Sequence, residues 1–283
     1  KLSGVNEEAY ANTFLHSTLN IAIAGDFTIT SLEVLGYPEN DPQYIYCVET
    51  SEVQHPYLHV RKPLSGDNIE FLNESVKLVL DRLRDQIVAH GRIMVSADDA
   101  TTHAFERFLP PIVGRPFNRI VDSECAMFCM TCEQRQKLAE MDIPVPDGVT
   151  LEKVDADRDG ETIHAMWKNG ISADVTIARL RYFPSICARD QNGNLLGWAM
   201  SGRFGQISNE FVLPEHRNKG LGKAIETRLA QEMTRMGHGV LKYVEYSNTN
   251  VYESALRNPL WTLWRMEDEK TPNNVYFRKF EIL

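Results

Sequence analysis

The residues with the clearest chemical purpose lie in Phe211-Val-Leu-Pro-Glu-His-Arg-Asn-Lys-Gly-Leu-Gly-Lys-Ala-Ile225. An extended apolar run stops at Pro214, a basic loop follows, and a helix begins whose apolar stripe is Leu221, Ile225, Leu229 and Met233. Gly220 and Gly222 let the backbone come close to a bulky anion. The N–H groups of the first helical turn point at that anion, and the helix dipole adds about half a positive charge there. Arg217, Lys219 and Lys223 strengthen the local positive field. The chemistry predicted is the holding of a phosphate or pyrophosphate.

Other nucleotide loops fit less well. A dinucleotide fingerprint needs a third small residue where Ile225 stands, although Glu245, about 20 residues on, is in its favour. A P-loop needs four residues between its glycines and a Lys-Ser/Thr pair after them, and neither is present. Arg217-x-x-Gly220-x-Gly222, after a strand and Pro214, resembles the acyl-CoA pyrophosphate loop of the GNAT superfamily of N-acyltransferases. Within it the sequence is most similar to the glycine N-acyltransferase-like group, on Leu213-Pro-Glu-His-Arg217 and Tyr243-Val-Glu-Tyr-Ser-Asn248.

The resemblance implies an α/β fold with a mixed central sheet flanked by helices, in a tandem arrangement with a degenerate GNAT-like N-terminal half. It implies an acyl-CoA co-substrate held by Phe211, Val212, Leu213, Arg217, Asn218, Lys219, Gly220, Leu221, Gly222, Lys223 and Asn248. Strands Gln206–Leu213 and Val240–Tyr246 would splay, admitting the pantetheine arm between them, with unpaired N–H groups near Val212 and Leu213 serving arm and oxyanion. Transfer from thioester to amine is direct in this family, so none of the five cysteines has to be a nucleophile. The ammonium must lose a proton to a base. The family's glutamate position, eleven before Arg217, is Gln206, which cannot accept a proton usefully. Glu210, four residues on, shares a face with Gln206 by the two-residue strand period. It reads either as the substitute base or as a solvated or ion-paired strand residue. Family members often place a tyrosine on the helix after the second splayed strand to protonate the leaving thiolate. The matching region, Asn248 to Leu256, has its tyrosine early, at Tyr252, which also reads as a packing residue. Asn248 reads as a helix N-cap. A glycine-like acceptor would need a cation for its carboxylate, for which Arg181 and Arg203 are candidates.

These residues need a scaffold. Ile143-Pro-Val-Pro-Asp-Gly148 cannot continue a helix, and it divides the chain into an N-terminal domain, 1–145, and a CoA-binding domain, 146–283. In the first, strands are predicted near Gln43–Thr50, Pro56–Val60, Arg92–Ala97 and Ser123–Thr131, with a helix from Asp67 to His90. No ligand loop is evident there, so a supporting or lid role is expected. The second reads β-α-α-β-β-β-α-β-α-β-β, with a hairpin around Gln191-Asn-Gly-Asn194 and C-terminal strands Trp261–Asp268 and Val275–Ile282.

Composition narrows the functional classes. Among 283 residues, 30 basic and 39 acidic side chains give −9, which argues against nucleic acid as partner. No apolar run approaches a membrane span. Five cysteines at irregular spacing predict free thiols and a reducing compartment, cytoplasmic or mitochondrial. Cys129-x-x-Cys132 reads as packing. Asp155-x-Asp157-x-Asp159-Gly160 begins like a calcium loop but has Met166 at the twelfth position, so it reads as an acidic helix start, and no metal site is expected. Three functions stay open: acylation of a small amine such as glycine or another amino acid, a CoA-binding module without turnover, and acetylation of a protein or peptide amine.

Overall fold

The protein is seen in a computed structural model, which describes residues 31–283 apart from 53, 63–67, 169, 171, 203, 204, 267 and 269. Its first half runs β1 (Ser31–Tyr37), β2 (Tyr44–Thr50), β3 (Tyr57–Arg61), α1 (Ile69–His90), β4 (Arg92–Ala97), α2 (Asp99–Val113), β5 (Phe117–Cys129) and α3 (Cys132–Ala139). The second runs β6 (Thr150–Glu152), α4 (Ala156–Ala165), α5 (Ala173–Tyr182), β7 (Ser185–Arg189), β8 (Leu195–Ser201) and β9 (Gln206–Val212). After a short 3-10 turn, Pro214–His216, come α6 (Leu221–Arg235), β10 (Leu241–Glu245), α7 (Thr249–Arg257), β11 (Thr262–Leu263) and β12 (Asn274–Ile282). The predicted order of the second half is reproduced element by element. The expected class, mixed α/β with sheet flanked by helices, is what the chain adopts.

Local chemistry explains the boundaries. Asn68 caps α1 by accepting from the N–H groups of Glu70 and Phe71, and Gly91, at φ 64°, turns the chain out of it. Asp155 caps α4 by accepting from Asp157 and Arg158, so the acidic run is a helix start, as expected. Two first-half helices were not foreseen. Pro110 and Pro111 lie in the last turns of α2, which Asp98 caps through the Thr101 N–H. In α3 a capping box joins Thr131 and Gln134. The strand expected over Trp261–Asp268 shrinks to Thr262–Leu263, because the Asp268 carboxylate accepts from the Lys270 and Thr271 N–H groups and makes a turn.

The residues form two compact units. One holds described residues 31–127, 244–252 and 264–283, with strand order β1-β2-β3-β4-β12-β5. Its core lies between one sheet face and α1 and α2, where Tyr46, Leu58, Leu80, Val95, Phe105 and Phe280 are buried together. β12, from the chain's end, runs antiparallel to both β4 and β5. The other unit holds residues 128–243 and 253–263, with strand order β10-β9-β8-β7-β6. On one face Trp198 and Met200 pack with Ile163 of α4 and Leu180 of α5. On the other, α6 packs against β7, β8 and β9. Among the described residues no helix is long and apolar enough to cross a membrane.

Candidate functional site

In the second of these units, β9 is zipped to β8 along one edge and almost bare along the other. Its parallel pairing with β10 consists of Gln206 with Leu241 and Ile207 with Lys242, and stops there. The two strands therefore diverge, as the resemblance implied. On the zipped edge Leu213 donates its N–H to the Leu196 carbonyl at 2.9 Å. By the alternation of an antiparallel ladder, the Val212 N–H then points away from β8, toward the open edge. Of the two N–H groups expected near the thioester, Leu213's is consumed and Val212's is the one so aimed.

A bulge changes which side chains face where. Met200 pairs with Ser208 and Trp198 with Phe211, so two residues of β9, Asn209 and Glu210, stand against Ala199 alone. Asn209 absorbs the extra residue at φ 46°. Gln206, Ser208 and Phe211 consequently share the face of Trp198 and Met200, and the Phe211 ring stacks on Trp198 at 5.1 Å. Glu210 goes to the other face with Val212. A Cβ placed on Gly222 would lie 3.0 Å from Glu210 Oε1 and 3.7 Å from Val212 Cγ2. The expected shared face of Gln206 and Glu210 is thus overturned, because the two-residue period holds only without a bulge.

The glycine loop has the geometry of an anion cradle. Gly220, at φ 81°, opens α6 with no side-chain cap, and the first turn carries no acidic residue. Asn218 is also left-handed, at φ 61°. Arg217 donates from Nε to the Val212 carbonyl at 2.9 Å and lies 5.3 Å from the Phe211 ring centre. Lys219 donates to the Glu215 carbonyl at 3.0 Å. Both cations are folded against the loop itself, while Lys223 is exposed in the first turn of α6, which Leu221 opens as a buried residue.

Glu210 is reachable by solvent, yet protein crowds it closely. Burial pushes its carboxyl up to about 8, Glu226 pushes in the same direction, and Lys242 opposes them. Sequence reasoning missed this neighbourhood. Lys242 pairs with Glu226 in the interior, and Trp261 Nε1 donates to Glu226 Oε2 at 3.1 Å. A lysine inside the apolar run Val240–Val244 and a glutamate beside the Ile225 stripe were its visible signals.

The remaining candidates sit elsewhere or are engaged. Asn248 and Tyr252 belong to the other unit. The Asn248 carbonyl accepts the Tyr252 N–H at the start of α7, and the Tyr252 ring is 5.2 Å from that of Tyr246. Arg181 is paired with Asp157, and Arg203 lies outside the described residues. All five cysteines are free thiols. Cys132 is exposed at the start of α3, while burial pushes Cys47, Cys129 and Cys187 up to about 12, far from nucleophilic thiolates. His55 and His59 are held neutral by burial, and His59 is bonded to Ser96.

Residues 186–254, which include the bulged strand, the loop and α6, match the family described as FR47-like protein. A Drosophila protein is similar in structure at a TM-score of 0.73 and 12% identity, over 96% of this chain and 90% of that one. A GCN5-related N-acetyltransferase from Kribbella flavida matches at 0.55 and 12%, over 98% and 96%. The fold is that of the GCN5-related N-acetyltransferases. A tandem GNAT protein from the clavulanic acid biosynthesis pathway matches at 0.53 and 12%, over 94% of this chain and 87% of that one.

Proposed function

We propose that the protein is an acyl-CoA-dependent N-acyltransferase whose acceptor is the amine of a small molecule, glycine or another amino acid among the candidates. The observation that carries this is the end of β9–β10 pairing at Ile207 beside the uncapped start of α6. An extended pantetheine arm can lie along the bare edge of β9, and the pyrophosphate can take the N–H groups of the first turn of α6 with Lys223 beside them. Glu210 accepts a proton from the substrate ammonium, directly or through water, and its raised proton affinity suits a base working near neutral pH. The freed amine attacks the thioester carbon, the Val212 N–H faces the developing oxyanion, and collapse expels CoA thiolate. A thiol with a pKa near about 8.5 leaves without strong help, so Tyr252 is not required as an acid. A reducing compartment, cytoplasmic or mitochondrial, suits the free thiols.

The test is thiol release from acetyl-CoA and longer acyl-CoAs against a panel of amines and amino acids. Turnover is expected, and Glu210→Gln should lower it about 100-fold at neutral pH with CoA affinity nearly unchanged. CoA binding without turnover for any pair would instead favour the second reading, a binding module, which Gln206 at the family's base position supports.

A further inference from the structure

Behind Glu210 stands a cluster that the acyl-transfer steps do not use. Glu226 leaves α6 one turn after Gly222, and residues four apart on a helix share a face. Glu210 Oε1 lies against that same face, 3.0 Å from where a Gly222 Cβ would be. Both Glu226 oxygens are held: Lys242 Nζ donates to Oε1, and Trp261 Nε1 donates to Oε2 at 3.1 Å. The Lys242 ammonium also lies 4.4 Å from the centre of the Trp261 ring. Glu226, Lys242 and Trp261 are all buried.

A buried ion pair contributes little net stability, since desolvation offsets its attraction. Its consequence here is electrostatic. One ammonium is matched by Glu226, which leaves Glu210 as the surplus carboxylate; Glu210 has no ion pair among the described residues. We propose that Glu226 is the positioning residue for Glu210: pinned by Lys242 and Trp261, it fixes a negative charge beside that carboxylate and makes Glu210 a stronger base. The functional side of this rests on the reading of Glu210 as the proton acceptor. The charged groups set against Glu210 are Glu226 from α6 and Lys242 from β10, and burial acts in the same direction as Glu226.

The experiment follows the Glu210 carboxyl carbon by carbon-13 NMR across pH in full-length protein, with Glu210→Gln identifying the signal, alongside the pH profile of kcat/KM. Glu226→Gln keeps an acceptor for Trp261 but removes the charge, and should lower the Glu210 midpoint by about one pH unit, tenfold in proton affinity. Lys242→Met should raise it, and the double variant, which leaves no buried charge unpaired, should fall between the two. Loosened packing does not produce opposite signs from the two partners of one pair. A Glu210 midpoint unchanged in folded Glu226→Gln overturns the proposal; should that variant not fold, a double variant whose midpoint is no lower than that of Lys242→Met, from which it differs only at Glu226, overturns it. A midpoint that moves while the acidic limb of the rate profile stays fixed upholds Glu226's control of Glu210 and removes Glu210 as the base.

Discussion

β12 and β9 are both interior strands of their sheets, and they have opposite backbone economies. β12 is bonded on both edges, to β4 through Tyr276–Glu281 and to β5 through Asn274–Ile282. β9 is bonded to β8 along one edge and to β10 only at its first two residues. Their charges differ in the same way. Arg278 of β12 is buried and donates to Asp99, Asp122 and Thr102, so each carboxylate in its cluster meets the cation directly. Beside β9, Lys242 is taken by Glu226, and Glu210 is left over. A strand paired along both edges contributes stability and leaves little main chain to offer a ligand. A strand left half-bonded next to a helix start has main-chain donors and a carboxylate to spare.

The sharpest way to break this contrast is to damage each strand in its own terms. Phe280 of β12 is fully buried, with Phe117 edge-on at 5.2 Å. Phe280→Ala should cost about 3–5 kcal/mol in denaturant unfolding, through lost burial and a cavity, while the protein still folded binds CoA normally. A parallel loss of CoA affinity would erase the distinction. Gly222→Leu acts on the other side. Its side chain would be driven into Glu210 and Val212, so CoA affinity should fall about 100-fold, about 2.7 kcal/mol, with a smaller change in unfolding. Wild-type affinity measured by calorimetry would show that the ligand does not pass there.

The contrast also marks what could be read from the chain. The loop 217–223 was legible because glycine, lysine and helical periodicity each carry a local signal, and those signals agree. α4 was legible from its aspartates and the β7–β8 hairpin from Asn192-Gly193. The facing of Glu210 was not, because a bulge is a relation between two strands: Asn209 at φ 46° has no signature beyond a residue type that tolerates it. Nor was the Leu213 N–H, whose fate depends on the register with Leu196. Lys242, Glu226 and Trp261 are far apart in sequence and look like ordinary surface or core residues until the fold brings them together. In the first half, α2 carries Pro110 and Pro111, which disrupt a helix interior but are tolerated here near its end.

A smaller effect tests whether Glu210 is held at odds with its charge. A carboxyl raised toward about 8 keeps a proton in the folded state that the unfolded chain, near 4.5, has released. Native stability is therefore unaffected below the ordinary carboxylate pKa and is lost as pH rises through the folded value. Glu210→Gln lacks that loss. Its Tm should equal the wild type's at about pH 4 and exceed it at about pH 9. A difference independent of pH would place the carboxylate in ordinary solvent, as unconstrained as any surface side chain.

The smallest expected effect carries a sign that ordinary surface residues do not give. Lys223 is in the first turn of α6, where the helix dipole and the unbonded N–H groups already present positive charge, and no acidic residue of that turn offsets it. For the helix alone this is a poor position for lysine. Lys223→Ala should therefore raise unfolding stability by about 0.3–1 kcal/mol at low salt and at the same time weaken CoA about threefold to tenfold, with a shallower dependence of affinity on salt. The two measurements move in opposite directions only if the lysine's charge is directed at a bound anion, and a variant that loses stability and affinity together would make Lys223 a packing residue of α6.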